Sequence, residues 1–227
     1  MVLRSIHPSL EDSARLLPSS GNIKFIFRHS LRPTLQGVKK HEEVRLTIEG
    51  EKLATELGES ISYSIGELHS SIIPRCIQTI NCIMENRQEQ RNIILSQEVL
   101  TDVFAKDREI ANISFKKIGS LKKIVYNLQS GEPIKGFRPF DDCISMILDY
   151  IFSTGNKANK LDLYCTHDLQ LAMLNSALFY PESSIEVIEH HWPNMLEGMF
   201  FWGKRENFYC VWRGRIKRHI NCFTMKR

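Results

Sequence analysis

The sequence predicts an α/β fold: a three-layer helix–sheet–helix sandwich whose central sheet is mostly parallel and ends in an antiparallel hairpin. Short apolar runs alternate with longer segments in which apolar residues recur at helical spacing. Such alternation is typical of β–α–β units, whose strands pair in parallel. The last aromatic-rich segment differs, because two runs flank a polar turn there, and this pattern predicts the hairpin.

Four mostly apolar runs precede the hairpin and are the predicted strands of the parallel part. They lie at residues 23–27, 65–70, 92–96 and 161–165. Apart from one charged residue each, the first and the last run are apolar throughout. Such continuous apolar character is expected for strands that helices cover on both faces. The hairpin is predicted within residues 198–214.

Four segments show the apolar spacing of helices packed on a sheet. They span about residues 48–61, 74–84, 140–151 and 168–179. Thr47 is the predicted N-cap of the first, and Pro74 suits the first turn of the second. Residues 97–139 have mixed charge and a weak period, with one helix predicted near 121–128. We interpret residues 97–139 as an insertion beside the sheet, or a lid near the functional site.

The composition is that of an ordinary soluble globular protein, with 42% hydrophobic and 25% charged residues. Because no repeat or linker divides it, the chain is predicted to be a single domain covering residues 1–227. The net charge of +4 does not imply nucleic acid as a partner, but it favours an anionic small molecule. No apolar run suggests a signal peptide or a membrane span, so we predict a cytoplasmic protein without a membrane partner.

Charged and titratable residues follow two of the predicted strands at the point where each strand ends. Arg28 and His29 come directly after the first strand. His167 and Asp168 follow the strand at 161–165 in the same way. Because the carboxyl ends of parallel strands meet at one edge of a sheet, and ligands bind beyond that edge, we expect these side chains to lie close together.

Further arginines are predicted to reach this edge. Arg32 lies in the loop after the first strand, and Arg75 opens the helix that follows a third strand. Guanidinium groups keep their charge at working pH, and their forked donors match the oxygens of phosphate. Crowding them beside Arg28 is costly unless an anion binds there. The sequence therefore predicts a phosphate-binding site.

Two histidines in a phosphate site suggest phosphoryl transfer. A neutral His29 could attack phosphorus and carry the phosphoryl group covalently. His167 could donate to a phosphate oxygen, and Asp168 could protonate the departing alkoxide. The arginines would supply the positive charge, and the six cysteines lack the paired spacing of zinc ligands, so no metal and no cofactor is predicted.

The order of these motifs resembles that of the histidine phosphatase superfamily, whose members share a phosphoglycerate-mutase-like fold. The matching stretches are RHSLR at 28–32, LTIEGEKLATELG at 46–58, RCIQT at 75–79 and THD at 166–168. The resemblance implies a metal-independent phosphatase that acts on a small phosphomonoester through a phosphohistidine. The acid phosphatase branch is the most similar, because Asp168 directly follows the second histidine and Arg32 is present.

Several alternatives stay open at this point. Ser30 stands where the family usually has glycine, so its hydroxyl could donate to the phosphate or could crowd it. A weak phosphate-binding pseudoenzyme is therefore one alternative, and a phosphotransferase or mutase that uses the same histidine is another. Asp102 and Glu98 lie where the mutase-like branch keeps its acid. We favour Asp168 because it adjoins His167, although an N-cap role would also explain an aspartate there.

Residues around the phosphate site are expected to recognise the rest of the substrate. The candidates are Lys39, Lys40, His41, Arg138 and Trp192. The first three could reach a second anionic group, but a solvated charge cluster explains them equally well. Trp192 could be an apolar wall of the pocket or a core residue. The sequence predicts neither the identity of the substrate nor the oligomeric state.

Overall fold

The computed structural model describes residues 8–34, 40–89, 92–155 and 158–223. Its strands are β1 (Ile23–Arg28), β2 (Ile65–Ser70), β3 (Ile93–Leu95), β4 (Leu161–Thr166), β5 (Gly198–Lys204), β6 (Asn207–Trp212) and β7 (Arg215–Ile220). Its α-helices are α1 (Pro8–Ala14), α2 (Ile48–Ser60), α3 (Pro74–Ile83), α4 (Arg108–Ile118), α5 (Leu121–Gln129), α6 (Phe140–Ser153), α7 (Asp168–Phe179) and α8 (Ile185–His190). A 3-10 turn covers His41–Glu43. This alternation of strands and helices confirms the predicted α/β class.

The strands form one sheet in the order β3-β2-β4-β1-β5-β6-β7. The four strands from β3 to β1 run parallel to one another, and β5, β6 and β7 are antiparallel. The parallel centre and the antiparallel edge are therefore confirmed. The predicted hairpin consists of β5 and β6, and β7 extends it to a three-stranded meander. The sequence did not predict β7, because its residues, RIKRHI, are mostly polar and exposed and lack the alternation of a half-buried strand.

Helices cover both faces of the sheet. On one face they pack apolar side chains into a cluster that includes Leu10, Phe25, Ala54, Leu57 and Ile80. On the other face the cluster includes Val125, Ile144, Leu148, Leu174 and Phe201. Helix α7 is buried along its length after Asp168, because it contacts β1 as well as α5 and α6. Among the described helices, none has both the length and the apolar character needed to cross a bilayer.

Three helices lie outside the predicted set, namely α1, α4 and α8. Asp107 caps α4 by accepting from the N–H of Ile110, and Gly119 follows the helix at a left-handed φ of 70°. The helix buries only Ala111 fully, which explains the weak apolar period in its sequence. The interpretation of residues 97–139 as an insertion or lid, like the single-domain assignment, stays a prediction.

The start of α2 lies against the segment that follows β1. Thr47 is the N-cap, as predicted, since its Oγ1 accepts from the N–H of Gly50 at 3.0 Å. Thr47 N also donates to the carbonyl of Leu31 at 3.0 Å. A Cβ at Gly50 would collide with that same carbonyl, so glycine is what lets the helix approach this closely. The contact fixes the backbone just beyond β1, where the predicted site residues begin.

A buried ion pair joins β1 to β4 at the opposite end of the sheet. Lys24 Nζ lies 3.6 Å from Asp162 Oδ2, and the two side chains are 4% and 0% exposed. Lys24 Nζ also donates to the carbonyls of Thr154 and Gly155, and Asp162 Oδ1 accepts from Glu67 N at 2.7 Å. Burial lowers the pKa of Lys24 and raises the pKa of Asp162. Each charge therefore depends on the other for its compensation.

We expect Lys24→Met to lower the free energy of unfolding by about 3–5 kcal/mol, because Asp162 would be left buried without a counter-charge. Urea denaturation at neutral pH measures this change. Lys52→Met is the matched control: Lys52 is paired with Glu56 at 4.0 Å but its side chain is 68% exposed. The control is expected to lose less than about 1 kcal/mol. A loss in Lys24→Met no larger than that of the control would show that water reaches the buried pair.

Candidate active site

The carboxyl ends of β1 and β4 lie side by side, as the sequence predicts. Arg28 and Thr166 are partners in the parallel register, and His29 N donates to Thr166 O at 3.1 Å. The rings of His29 and His167 follow these positions, with their centroids 5.4 Å apart. Arg75, in the first turn of α3, reaches both rings. The sheet edge therefore brings these predicted residues together.

The His29 ring is held in one hydrogen-bonded state. Its Nδ1 lies 2.8 Å from the carbonyl oxygen of Ser30 and so must be the donor there. Its Nε2 lies 3.0 Å from Nε of Arg75, which can only donate, so Nε2 presents its lone pair. The pKa of His29 is well below its usual 6.5, first because the ring is buried and then because His167 and Arg75 are close. The ring is therefore neutral at physiological pH.

Arg75 connects the two histidines to the loop after β1. Its Nε donates to His29, and its Nη2 lies 3.3 Å from Nδ1 of His167. Its Nη1 donates to the backbone carbonyl of His41 at 2.9 Å. One guanidinium group thus fixes the relative position of both rings and of the 3-10 turn.

Arg28 is buried between the two strand ends and is 8% exposed. Its Nη2 lies 2.8 Å from Oδ2 of Asp168, and its Nη1 donates to the carbonyl of Pro193 at 2.7 Å. Asp168 is the first residue of α7, and the N-cap position belongs to His167. The alternative N-cap reading of Asp168 is therefore wrong by one residue. The carboxylate instead holds Arg28 and accepts from the N–H of Leu169 at 3.0 Å.

Arg32 completes a group of crowded guanidinium groups. Its Nη1 donates to the carbonyl of Pro33 at 2.9 Å. Burial lowers the pKa of Arg32, and the charges of Arg75 and then Arg28 lower it further. Within the part of the chain that the structure describes, the buried Nε atoms of Arg28 and Arg32 have no hydrogen-bond partner. Crowded cations with donors to spare suit an anion such as phosphate.

No protein-family model and no curated protein matches the sequence, but solved structures match the fold. Phosphoglycerate mutase from Bacillus anthracis str. Sterne has a TM-score of 0.52 at 13% identity, over 87% of this chain and 91% of that chain. A phosphoserine phosphatase mutant from Entamoeba histolytica, in complex with phosphoserine, has a TM-score of 0.53 at 15% identity, over 89% and 98%. Mycobacterial glucosyl-3-phosphoglycerate phosphatase, in complex with VO3, has a TM-score of 0.56 at 12% identity, over 85% and 99%. The fold is phosphoglycerate mutase-like.

This is the fold that the resemblance in the sequence implied. Within this fold Ser30 differs from the expectation. Its Oγ donates to the carbonyl of Gly50 at 2.6 Å, and its N–H donates to Oγ1 of Thr79 at 3.0 Å. The hydroxyl proton is thus already used inside the protein, so the predicted donation from Ser30 to a phosphate does not fit this geometry. The side chain lies against α2, because Gly50 lets that helix come close.

The two alternative carboxylates lie in different surroundings. Asp102 Oδ2 is paired with Nη2 of Arg108 at the start of α4. Burial raises the pKa of Asp102, while the nearby charges of Arg108 and His167 lower it. Glu98 is 64% exposed and is paired with Nη2 of Arg138 at 3.0 Å. Asp102 is therefore a neighbour of the second histidine, whereas Glu98 and Arg138 form a peripheral pair.

Of the candidates in the loop after β1, Lys40 and His41 are at the start of the 3-10 turn and Lys39 lies outside the described residues. Lys40 Nζ is paired with Oε1 of Glu43 at 2.6 Å, and both side chains are exposed. That geometry is the solvated charge cluster named above as the alternative. His41 contacts the site through its backbone carbonyl, which accepts from Arg75.

The surroundings of Trp192 fit one of its two interpretations, that of a core residue. Its ring is partly buried against the hydrophobic cluster on one face of the sheet. Its neighbour Pro193 supplies the carbonyl that accepts from Arg28. Trp192 thus anchors a segment that contacts the site, and its role as a wall for substrate stays a prediction.

Sequence reasoning missed the polar groups behind His167. Ser71 Oγ lies 2.9 Å from His167 Nε2, and Thr101 Oγ1 lies 2.9 Å from Ser71 Oγ. Cys76 Sγ lies 3.7 Å from the same Nε2. Ser71 directly follows β2, so the rule that picked out Arg28 and His167 at strand ends would have found it. Within the described ranges, no group of three or more His, Cys, Asp or Glu side chains is arranged to hold a metal ion.

Proposed function

We propose that this protein is a metal-independent phosphomonoester hydrolase that acts through a phosphohistidine at His29. The state of that ring carries the proposal, because Nδ1 donates to a backbone carbonyl and Nε2 presents its lone pair to Arg75. A ring in this state can attack phosphorus without first losing a proton. The crowded arginines beside it provide the charge that a phosphate needs.

The proposed reaction has two steps. The cycle starts with Asp168 as the carboxylic acid. In the first step, His29 Nε2 bonds to phosphorus as the bond to the leaving oxygen breaks, and Asp168 gives that oxygen its proton and becomes a carboxylate paired with Arg28. In the second, Asp168 takes a proton from water, which attacks the phosphohistidine and restores His29. The net reaction converts a phosphomonoester and water into an alcohol and inorganic phosphate. Arg28, Arg32 and Arg75 would neutralise the phosphoryl oxygens in both steps.

The similar structures support a small phosphorylated substrate. One is a phosphatase in complex with phosphoserine, and another is a phosphatase in complex with VO3. The carboxylate directly after the second histidine supports the acid phosphatase-like branch for this chain. We also propose a cytoplasmic location, which the ordinary soluble composition supports.

The test is hydrolysis of para-nitrophenyl phosphate by the full chain in excess EDTA, with and without vanadate. We expect turnover that survives chelation and that vanadate inhibits. Turnover that requires a divalent cation would contradict the metal-independent mechanism. No turnover, with vanadate or phosphate still bound in calorimetry, would favour the pseudoenzyme alternative.

The pH profile gives an independent expectation for the nucleophile. Because burial, His167 and Arg75 hold the pKa of His29 well below 6.5, the ring stays unprotonated as pH falls through 6.5. We therefore expect the acid limb of kcat/KM that belongs to His29 to lie below pH 6.5. An acid limb at or above pH 6.5 would contradict a buried, neutral nucleophile.

A phosphotransferase or mutase is the second candidate, because a phosphoglycerate mutase has the same fold. It would form the same phosphohistidine but deliver the phosphoryl group to a second hydroxyl. Product analysis with glycerate or a sugar as acceptor separates the two. Inorganic phosphate as the main product supports the hydrolase, and a phosphorylated acceptor supports the transferase.

A further inference from the structure

A chain of buried hydroxyl groups extends from His167 to the loop after β3. His167 Nε2 lies 2.9 Å from Ser71 Oγ, which lies 2.9 Å from Thr101 Oγ1. Thr101 Oγ1 in turn donates to the carbonyl of Ser96 at 3.0 Å. Ser71 is 0% exposed and Thr101 is 7% exposed. Groups buried this deeply need their hydrogen-bonding capacity filled inside the protein.

The carbonyl of Ser96, where the series of hydrogen bonds ends, determines which way each hydroxyl proton points. A carbonyl only accepts, so the single proton of Thr101 Oγ1 points to Ser96. The single proton of Ser71 therefore goes to Thr101. Ser71 Oγ is then an acceptor towards His167, and it also accepts from Ile73 N at 3.2 Å. Nε2 of His167 must carry a proton.

The other side of the ring leads to the same state. Arg75 Nη2 lies 3.3 Å from His167 Nδ1, and a guanidinium group has no acceptor. Nδ1 must therefore present a lone pair to it. Cys76 Sγ lies 3.7 Å from Nε2 and 3.9 Å from Nδ1, but its thiol proton is directed to the carbonyl of Thr166 at 3.5 Å. The sulfur can therefore only accept from the ring, and its shorter contact is the one to the protonated Nε2. Two independent contacts thus select one tautomer.

We propose that Ser71 and Thr101 are positioning residues that hold His167 as the Nε2–H tautomer, with Nδ1 turned towards Arg75. In the proposed function, on which the catalytic meaning of this inference rests, Nδ1 faces the phosphate. Because the proton of Nε2 is committed to Ser71, Nδ1 can donate to a phosphate oxygen only when the ring is an imidazolium. The hydroxyl chain thereby makes His167 a cationic partner of phosphate and not a neutral donor.

Long-range 1H–15N NMR of the histidine rings tests the tautomer directly. We expect the His167 signals of the ligand-free protein to show a protonated Nε2 and an unprotonated Nδ1. Their assignment follows from comparison with a His167→Gln sample. In Ser71→Ala the acceptor for Nε2–H is gone and only the 3.3 Å contact to Arg75 still favours this tautomer, so a fraction of Nδ1–H should appear. In Thr101→Val the proton of Ser71 loses its acceptor and can turn to Nε2, which should raise the fraction of Nδ1–H against the effect of Arg75.

Ser70→Ala is the matched control, because its hydroxyl donates to the backbone carbonyl of Ser71 and not to the ring. It should leave the His167 signals unchanged.

With para-nitrophenyl phosphate, Ser71→Ala should lower kcat by about tenfold with little change in KM, because charge on the phosphoryl oxygens grows in the transition state. The proposal is overturned by Nδ1–H in the parent protein, or by a spectrum that neither variant alters.

The same measurements separate this proposal from the proposed function. If the parent protein is inactive but its His167 tautomer still depends on Ser71, the proposed role of the hydroxyl groups holds and the phosphatase function is rejected. If the parent protein is active but shows the opposite tautomer, the phosphatase function holds and the role of the hydroxyl groups is rejected. If Ser71→Ala fails to fold, the parent spectrum and Thr101→Val still decide.

Discussion

His29→Ala is expected to lower the turnover of para-nitrophenyl phosphate by at least about a thousandfold. The lone pair of His29 Nε2 is the proposed nucleophile, and alanine leaves nothing that can bond to phosphorus. The arginines would still bind the phosphate, so vanadate or phosphate binding should survive the substitution in part. Steady-state kinetics in EDTA measure the loss, and circular dichroism checks that the variant is folded.

A chemical trap makes this expectation sharper. When the parent protein is mixed with 32P-labelled substrate and quenched in alkali, label should remain attached to the protein. Acid should then remove this label, because the phosphoramidate bond of a phosphohistidine is stable in alkali and hydrolyses in acid. His219→Gln is the control, because His219 is on the edge strand β7, beyond β5 and β6 from β1. The control should keep both turnover and label. Turnover in His29→Ala, or label that resists acid, would contradict a phosphohistidine.

The contacts of Arg75 determine which nitrogen of each histidine ring presents a lone pair. Arg75 offers only donors, and it places one of them on Nε2 of His29 and another near Nδ1 of His167. Each ring nitrogen that faces it must therefore be an acceptor. The same guanidinium group that attracts a phosphate thus keeps the proposed nucleophile free of a proton.

The parts of the fold and the site that the sequence predicts are those with a local signal. Strands β1 and β4 are apolar because helices cover both faces, and their charged ends are visible as abrupt changes in the sequence. Pairing β1 with β4 in parallel then brings Arg28 and His29 next to His167. Thr47 and Pro74 marked their helix starts for the same local reason.

The rest depends on packing between distant segments. The position of Ser71 at the end of β2 is visible in the sequence, but its contact with Thr101 behind His167 is not, because it forms only where the loop after β3 folds over the end of β2. The hydroxyl of Ser30 turns to Gly50 because α2 comes unusually near the chain after β1. Strand β7 forms at an exposed edge, where pairing with β6 stabilises it without a buried apolar face.

Asp168→Asn is expected to reduce kcat/KM on an alkyl phosphate by about a hundredfold and on para-nitrophenyl phosphate by less than about tenfold. Asparagine keeps the size of the side chain and can still accept from Arg28, whose Nη2 lies 2.8 Å from Oδ2 of Asp168. It cannot give a proton to an alkoxide. Nitrophenolate departs without one, so the two substrates should separate. The ratio kcat/KM is the right measure, because it excludes the later attack by water on the phosphohistidine.

Asp142→Asn is the matched control for this comparison. Asp142 is also a carboxylate in the first turn of a helix, but it is exposed at the start of α6. Asp142→Asn should leave kcat/KM unchanged on both substrates. That result would exclude a general effect of removing a first-turn charge from a helix. Equal losses on the two substrates in Asp168→Asn would assign the proton to another group. Asp102 would then be the next candidate, because burial raises the pKa of this carboxyl group and it lies near enough to His167 to interact with its charge.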